Sequence, residues 1–179
     1  MTNNITFEPL KDIDLQYACQ LYEEAFPIEE RRDTSEWLLQ NEQNPLFNIL
    51  CIKQDQIFQG ILSYWTFESF HYIEHFAISP QQRGNGIGCA ALELFMTTRT
   101  RYPIILEVEP DVNDTTHRRI LFYNRHRFHI IEHPYLQPSY HKGGSPFPLS
   151  IMCNDVNFAN HNFNNIVRTI HQQVYRYIK

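Results

Sequence analysis

The run Gln81-Gln82-Arg83-Gly84-Asn85-Gly86-Ile87-Gly88 gathers three of the chain's six glycines within five residues. Residues of these types at this spacing can hold a phosphate. Glycine lets the backbone turn without side-chain bulk, successive N–H groups then aim at one point, and a helix opening at Ile87 adds partial positive charge there. Arg83 adds a planar, permanently charged fork. Two familiar phosphate motifs fit poorly. A P-loop needs Gly-Lys-Ser/Thr, and this segment has no lysine. The dinucleotide fingerprint G-x-G-x-x-G needs its last glycine beyond Gly88. It also needs an acid about twenty residues on, where Glu107 and Glu109 lie, so the oxidoreductase reading is weakened rather than removed. Taken alone, such glycines also suit a turn that binds nothing.

The setting gives the turn its meaning. Tyr72 to Ser79 before it reads as a strand, and Ile87, Ala90, Ala91, Leu94 and Phe95 after it form one face of a helix running to about Thr98. Around this unit, Ile5–Leu10 reads as a first strand and Asp14–Ala25 as a helix. Thr34 or Ser35 caps a short helix through Leu39. Phe47–Lys53 and Ile57–Phe67 read as a hairpin about Asp55-Gln56, with Phe70–Ser79 as the next strand. Pro103–Val108 is a nearly continuous apolar run, as in a buried strand. Thr115 or Thr116 caps a helix to about Arg125, and Phe128–Ile131 begins a strand. Pro134–Pro148 reads as a loop, Pro148–Cys153 as a strand, and a final helix spans about 160–178 with Phe163, Ile166, Val167, Ile170, Val174 and Ile178 on one stripe. This order predicts one mixed α/β domain over residues 1–179 with a partly parallel sheet.

Composition narrows the options. At 179 residues, 42% apolar and 20% charged, the chain suits one soluble core. The net charge of −5 gives no general attraction for nucleic acid. No apolar run approaches a membrane span, and Met1-Thr2-Asn3-Asn4-Ile5 lacks the regions of a signal peptide. Cys19, Cys51, Cys89 and Cys153 form no CxxC and read as reduced thiols of a cytoplasmic protein.

The segment Phe76-Ala77-Ile78-Ser79-Pro80-Gln81-Gln82-Arg83-Gly84-Asn85-Gly86-Ile87-Gly88 resembles the acetyl-CoA signature Q/R-x-x-G-x-G/A of the GCN5-related N-acetyltransferase (GNAT) superfamily, with Arg83, Gly86 and Gly88 at its fixed positions. Leu106-Glu107-Val108, then a helix with Leu121-Phe122-Tyr123, then Phe128, resembles the family's later segment. The resemblance implies a partly parallel central sheet of six to seven strands flanked by helices, with a β-bulge and splayed central strands. It implies acetyl-CoA as acyl donor, no metal, and direct attack by the amine of a small molecule or peptide. The donor's pyrophosphate would lie on the amides of Arg83, Gly84, Asn85, Gly86, Ile87 and Gly88. Its pantetheine would pair with the backbone of Phe76 and Ile78, and the N–H of Phe76 or Ala77 would polarise the thioester. Tyr123 stands where many members place the acid for the leaving thiolate.

A base is harder to place. Glu74 is the first choice, on the same strand face as Phe76 and shared with Tyr72; Glu107 and Glu109 are alternatives, as base or as contacts for a cationic acceptor. Each also reads as an ordinary surface carboxylate, and Tyr123 as a core residue. Two positions depart from the family. Thr116 replaces the frequent Asn, which leaves one expected pantetheine contact in question, and Arg127 replaces the Gly before Phe128, so the turn there differs or keeps a negative φ.

In this fold the acceptor is walled by segments that here are Phe26–Asp33, with Glu29 and Glu30, and Tyr135–Gly144, with Tyr135, Gln137, Tyr140 and His141. Aromatics with carboxylates suit a cationic or aromatic amine. His71 and His75 lack the zincin spacing, and His126, His129 and His133 straddle a helix-to-strand boundary, so a metal centre is not expected. Arg118, Arg119, Arg125 and Arg127 read as a solvated helix face. A non-catalytic acyl-CoA-binding or regulatory module is the alternative function, and the last helix's stripe admits a homodimer.

Overall fold

The computed structural model describes residues 4–175. Ile178, expected on the last helix, lies outside them. In chain order the elements are β1 (Ile5–Pro9), α1 (Asp12–Ala25), α2 (Thr34–Gln43), β2 (Phe47–Gln54), β3 (Ile57–Thr66), β4 (His71–Ile78), α3 (Ile87–Thr98), β5 (Ile104–Val108), α4 (Asp114–Arg125), β6 (His129–Ile130), β7 (Tyr135–Gln137), β8 (Phe147–Cys153) and α5 (Val156–Gln173). The fold class is mixed α/β, as expected. Eight strands are found among the described residues, where six to seven were expected, because the Pro- and Gly-rich loop contains β7. The chain forms two compact units. One holds the described residues up to Ile28 together with Asp33–Tyr102; the other holds Glu29–Arg32 and the described residues from Pro103.

In the first unit β1, β2, β3 and β4 pair successively, all antiparallel. The β2–β3 turn places Asp55 and Gln56 at φ 51° and 68°. Two positive φ values in a two-residue loop match the right-handed twist of the strands it joins. Two bulges follow. Ser63 pairs with His75 and Tyr64 with Ile73, so Glu74 is the extra residue on β4. Lys53 pairs with Phe58 and Ile52 with Gly60, so Gln59 is extra on β3. Trp37 of α2 stacks on Tyr22 of α1 with centroids 4.1 Å apart and planes 6° from parallel. Ala91, Leu92 and Phe95 of α3 are buried together with Ile87, the period of a helix laid on a core.

In the second unit β8 is the common partner: β5, β6 and β7 each pair with it antiparallel. Helix α5 starts at Val156 rather than near Asn160, because the Asp155 carboxylate accepts from the Phe158 N–H at 2.9 Å and caps the helix there. Its face of Ala159, Ile166, Ile170 and Val174 is wholly buried. Phe163 and Val167 of the expected stripe are half-buried. Helix α4 begins one residue before the expected caps. Asn113 is the N-cap, accepting from the N–H groups of Thr115 and Thr116, while the Thr116 hydroxyl accepts from the Asn113 N–H at 3.1 Å. This is a capping box with threonine in the usual Glu/Gln place.

All four cysteines are free thiols; burial pushes Cys51 up to about 12 and Cys153 to about 11. No helix among the described residues is long and apolar enough to cross a membrane.

Candidate active site

The glycine turn is built by three local devices. Pro80–Gln82 makes a 3₁₀ turn closed by the Gln82 N–H on the Ser79 carbonyl at 2.9 Å. The Arg83 side chain folds back, its Nε donating to the Ile78 carbonyl at 3.1 Å. Gly84 and Gly86 then take φ of 82° and 77°, the left-handed region that disfavours any residue with a Cβ. Gly86 is the N-cap of α3, and its carbonyl receives the Ala90 N–H at 3.0 Å. The N–H groups of Ile87, Gly88 and Cys89 thus belong to the first helical turn, which has no intrahelical acceptors. Gly84, Asn85 and Gly86 are exposed, and a Cβ on Gly84 would meet nothing within 4 Å. The bend is thus open at Gly84, and free first-turn amides such as those of α3 are groups that can hold an anion.

The strand leading to the turn carries the expected thioester segment. Glu74, Phe76 and Ile78 are half-buried and alternate with buried His75 and Ala77, so the three share a face beyond the bulge. Tyr72 is buried. A residue with no signal in the sequence pattern supports this strand: a Cβ on Gly60 would lie 2.4 Å from the Ala77 carbonyl oxygen, so only glycine allows β3 this close to β4. The Glu74 carboxylate accepts from the Trp65 indole N–H at 2.6 Å. His75 contacts Ser63 Oγ through Nδ1 at 3.3 Å and meets Tyr22 and Phe26 edge-on. His71 instead contacts Thr66 Oγ1 at 3.2 Å, so the two histidines have separate neighbours.

The second unit carries the remaining candidates. Tyr123 is buried, with Phe122 and Phe128 packed against it at 5.1 and 5.9 Å, and burial pushes its phenol up to about 12. Arg119 opposes that rise, and it pairs with Glu109. The Thr116 hydroxyl is engaged in the α4 cap, donating to the Asn113 carbonyl at 3.0 Å. Thr116 also lines a depression of about 690 Å³ with Glu109, Asn113, Asp114, Thr115 and Arg119. Glu30 is half-buried, and its carboxyl is raised by burial first and then by the charge of Glu109. Glu107 accepts from the Tyr135 hydroxyl, and from that of Tyr175 at 2.7 Å.

One expected alternative fails. Arg127 has φ 66°, so the glycine-like conformation is kept without glycine. The Arg127 N–H bonds the Asn124 carbonyl at 3.0 Å and the Phe128 N–H bonds the Tyr123 carbonyl at 3.2 Å. This pair closes α4 as a Schellman motif.

A strand, a glycine turn at a helix start, and a later strand–helix–Phe segment define a class that comparison bears out. The family model described as "Acetyltransferase (GNAT) family" matches residues 15–128. A solved structure titled "Putative acetyltransferase from GNAT family" from Bacteroides thetaiotaomicron is 33% identical and superposes with a TM-score of 0.90 over 97% of this chain and 99% of that one. "Putative acetyltransferase YjbC" of Bacillus subtilis (strain 168) is 32% identical over 108 residues, 59% of this chain and 53% of that protein, so the match spans about half of that relative. The fold alone is shared with a spermidine N-acetyltransferase from Vibrio cholerae solved with CoA and spermine, at 14% identity and a TM-score of 0.60 over 83% of this chain and 94% of that one. The chain belongs to the GNAT acetyltransferase family.

Proposed function

We propose that this chain is a cytoplasmic, acetyl-CoA-dependent N-acetyltransferase acting on the amine of a small molecule or peptide. The observation that carries this reading is the bend from Arg83 to Gly88, where two left-handed glycines set exposed amides at the start of α3, directly after β4. Those amides receive the donor's diphosphate. The backbone of Phe76, Ala77 and Ile78 receives its pantetheine and the thioester carbonyl, and Thr116 stands at the mouth of α4 as a further donor contact. Four free thiols suit a reducing compartment.

In the reaction the amine nitrogen forms a bond to the thioester carbonyl carbon, and the carbon–sulfur bond breaks. The thiolate leaves toward a proton donor. Tyr123 suits that place as a phenol that keeps its proton: at about 12 it stays protonated throughout the neutral range. The rise also makes full proton transfer to a thiolate, whose thiol titrates at about 8.5, steeper than from an ordinary phenol, so its main part is to hydrogen-bond the developing thiolate. The amine must lose a proton, since an alkylammonium near 10.4 is almost wholly protonated at neutral pH. Glu74, already a hydrogen-bond acceptor on β4, is the group assigned to receive it.

The test is direct. CoA should raise the midpoint of thermal unfolding, and acetyl-CoA with a panel of amines should release free thiol. Failure of CoA to protect the fold would remove the reading. Protection without thiol release from any amine would leave a non-catalytic acyl-CoA binder.

A further inference from the structure

The second unit contains a buried polar chain that the donor turn does not use. Arg32 is 6% exposed, and both terminal nitrogens of its guanidinium donate to the Val174 carbonyl at 3.0 Å. Val174 is the C-cap of α5, so the cation sits at the negative end of that helix. The guanidinium carbon also lies 4.9 Å from the centre of the Tyr140 ring. From there the contacts run on. The Tyr140 hydroxyl donates to that of Tyr175 at 3.4 Å, the Tyr175 hydroxyl donates to Glu107 Oε2 at 2.7 Å, and the Tyr135 hydroxyl donates to Glu107 Oε1. The three tyrosines are 5% exposed or less.

A guanidinium is costly to bury and stays buried where its donors and charge are matched. Here the match orders two things. It ties Glu29–Arg32, the tetrapeptide that joins the second unit between α1 and α2, to the end of α5. It also fixes the residues that hold Glu107. Each Glu107 oxygen receives a phenolic hydrogen, and burial first, then the negative charge of Glu107, push the Tyr135 phenol up. A carboxylate held at both oxygens in this way presents a fixed negative charge to a cation. An amine acceptor arrives as an ammonium ion, which needs an anionic contact before it loses its proton.

We propose that Glu107 is the anionic contact for a cationic amine acceptor and that Arg32 is its positioning residue, acting through Tyr140 and Tyr175. This rests on the transferase reading. Four variants test it: Glu107→Gln, Arg32→Lys, Arg32→Met and Tyr140→Phe, which keeps the ring under Arg32 and removes the hydroxyl. Spermidine, tyramine and a peptide with a free N-terminus serve as acceptors, and CoA affinity is the control. For whichever acceptor the wild type acetylates, Glu107→Gln raises KM about tenfold with kcat and CoA affinity nearly unchanged, and Tyr140→Phe raises it in the same direction by less. Arg32→Lys, which keeps the charge and loses the fork, falls between wild type and Arg32→Met. An acceptor KM within about twofold of wild type in Glu107→Gln overturns the proposal. Hydrogen exchange without any acceptor gives a second measure: in Arg32→Lys the amides of residues 135–140 should exchange roughly tenfold faster while those of β2 and β3 do not change. Equal exchange throughout overturns the positioning role. A wild type that fails to bind CoA removes the transferase reading itself, and the exchange experiment still reports on the frame.

Discussion

Trp65 gives its indole proton to the carboxylate of Glu74 at 2.6 Å. Trp65 is fully buried, and Glu74 is the bulged residue of β4, so the bulge turns an acid toward a buried donor. This bond makes Glu74 structural whatever else it does. Glu74→Ala should cost about 1–3 kcal/mol, because the indole N–H would lose its acceptor in a dry site. Glu74→Gln keeps an acceptor oxygen and should change stability by less than about 1 kcal/mol. Denaturant unfolding of both variants checks this. Turnover then reads the chemistry separately: a Gln variant that folds normally yet keeps full activity would take the proton-accepting role away from Glu74.

Tyr123→Phe should lower turnover by about tenfold or more and leave CoA affinity nearly intact. The phenol at about 12 also fixes the pH behaviour. Because the group keeps its proton until well above the ordinary tyrosine value, its ionisation should not contribute a falling limb to the pH–rate profile below about pH 10. A limb near pH 9 that vanishes in the Phe variant would contradict this.

Arg127→Gly should stabilise the protein by about 0.5–1 kcal/mol. The position already holds φ 66° and both Schellman bonds, and arginine there bears the strain of a left-handed residue that glycine lacks. Arg127 is exposed, so little packing is lost. A lower unfolding midpoint would show that the arginine side chain has a contact worth more than the strain.

Lys53 joins β2 to α1 by a buried ion pair, its Nζ 3.0 Å from Asp14 Oδ2, with Glu8 Oε2 at 3.4 Å. The bond it donates to Asp14 raises the ammonium above its ordinary value despite burial. A raised folded value means that the contribution is full below about 10.4 and is lost as pH rises through the higher folded value. Glu8 is lowered, first by its bond from Lys11, so its contribution is present above about 4.3 and fades as pH falls through the lower folded value. Stability should therefore drop above about pH 10.5 in the wild type and lose that drop in Lys53→Met. The variant itself should be about 3 kcal/mol less stable at neutral pH, because Asp14 would stay buried without its cation. Urea midpoints at neutral and alkaline pH measure both.

Local chemistry explains which features the chain announced. The glycine turn was legible because alternate glycines, a strand before them and an apolar helix face after them all agree at short range. The hairpin at Asp55-Gln56 and the buried run Ile104–Val108 were legible for the same reason. The α4 cap was misplaced because threonine at residue 116 does the work that a glutamate usually signals. β7 hid between Pro134 and Pro138, where proline suggests loop, although only its partner β8 makes it a strand. The positive φ of Arg127 had no residue-type signal. A bulge on β4 was expected from resemblance alone and its place at Glu74 had no signal, since it exists only as a mismatch between two strands. The fixing of Glu107 by two phenols belongs to tertiary structure, joining residues 28 and 68 positions apart.

The bond from Arg32 to Val174 spans 142 positions in the chain. On a ribosome that releases the polypeptide from its amino end, the residues around Arg32 emerge long before their carbonyl partner exists. The β1–β4 meander, made of near neighbours, can form early, but the buried guanidinium stays in water until α5 has been synthesised. The tetrapeptide that belongs to the second unit is thus among the last pieces to settle, and its final place waits on the end of α5.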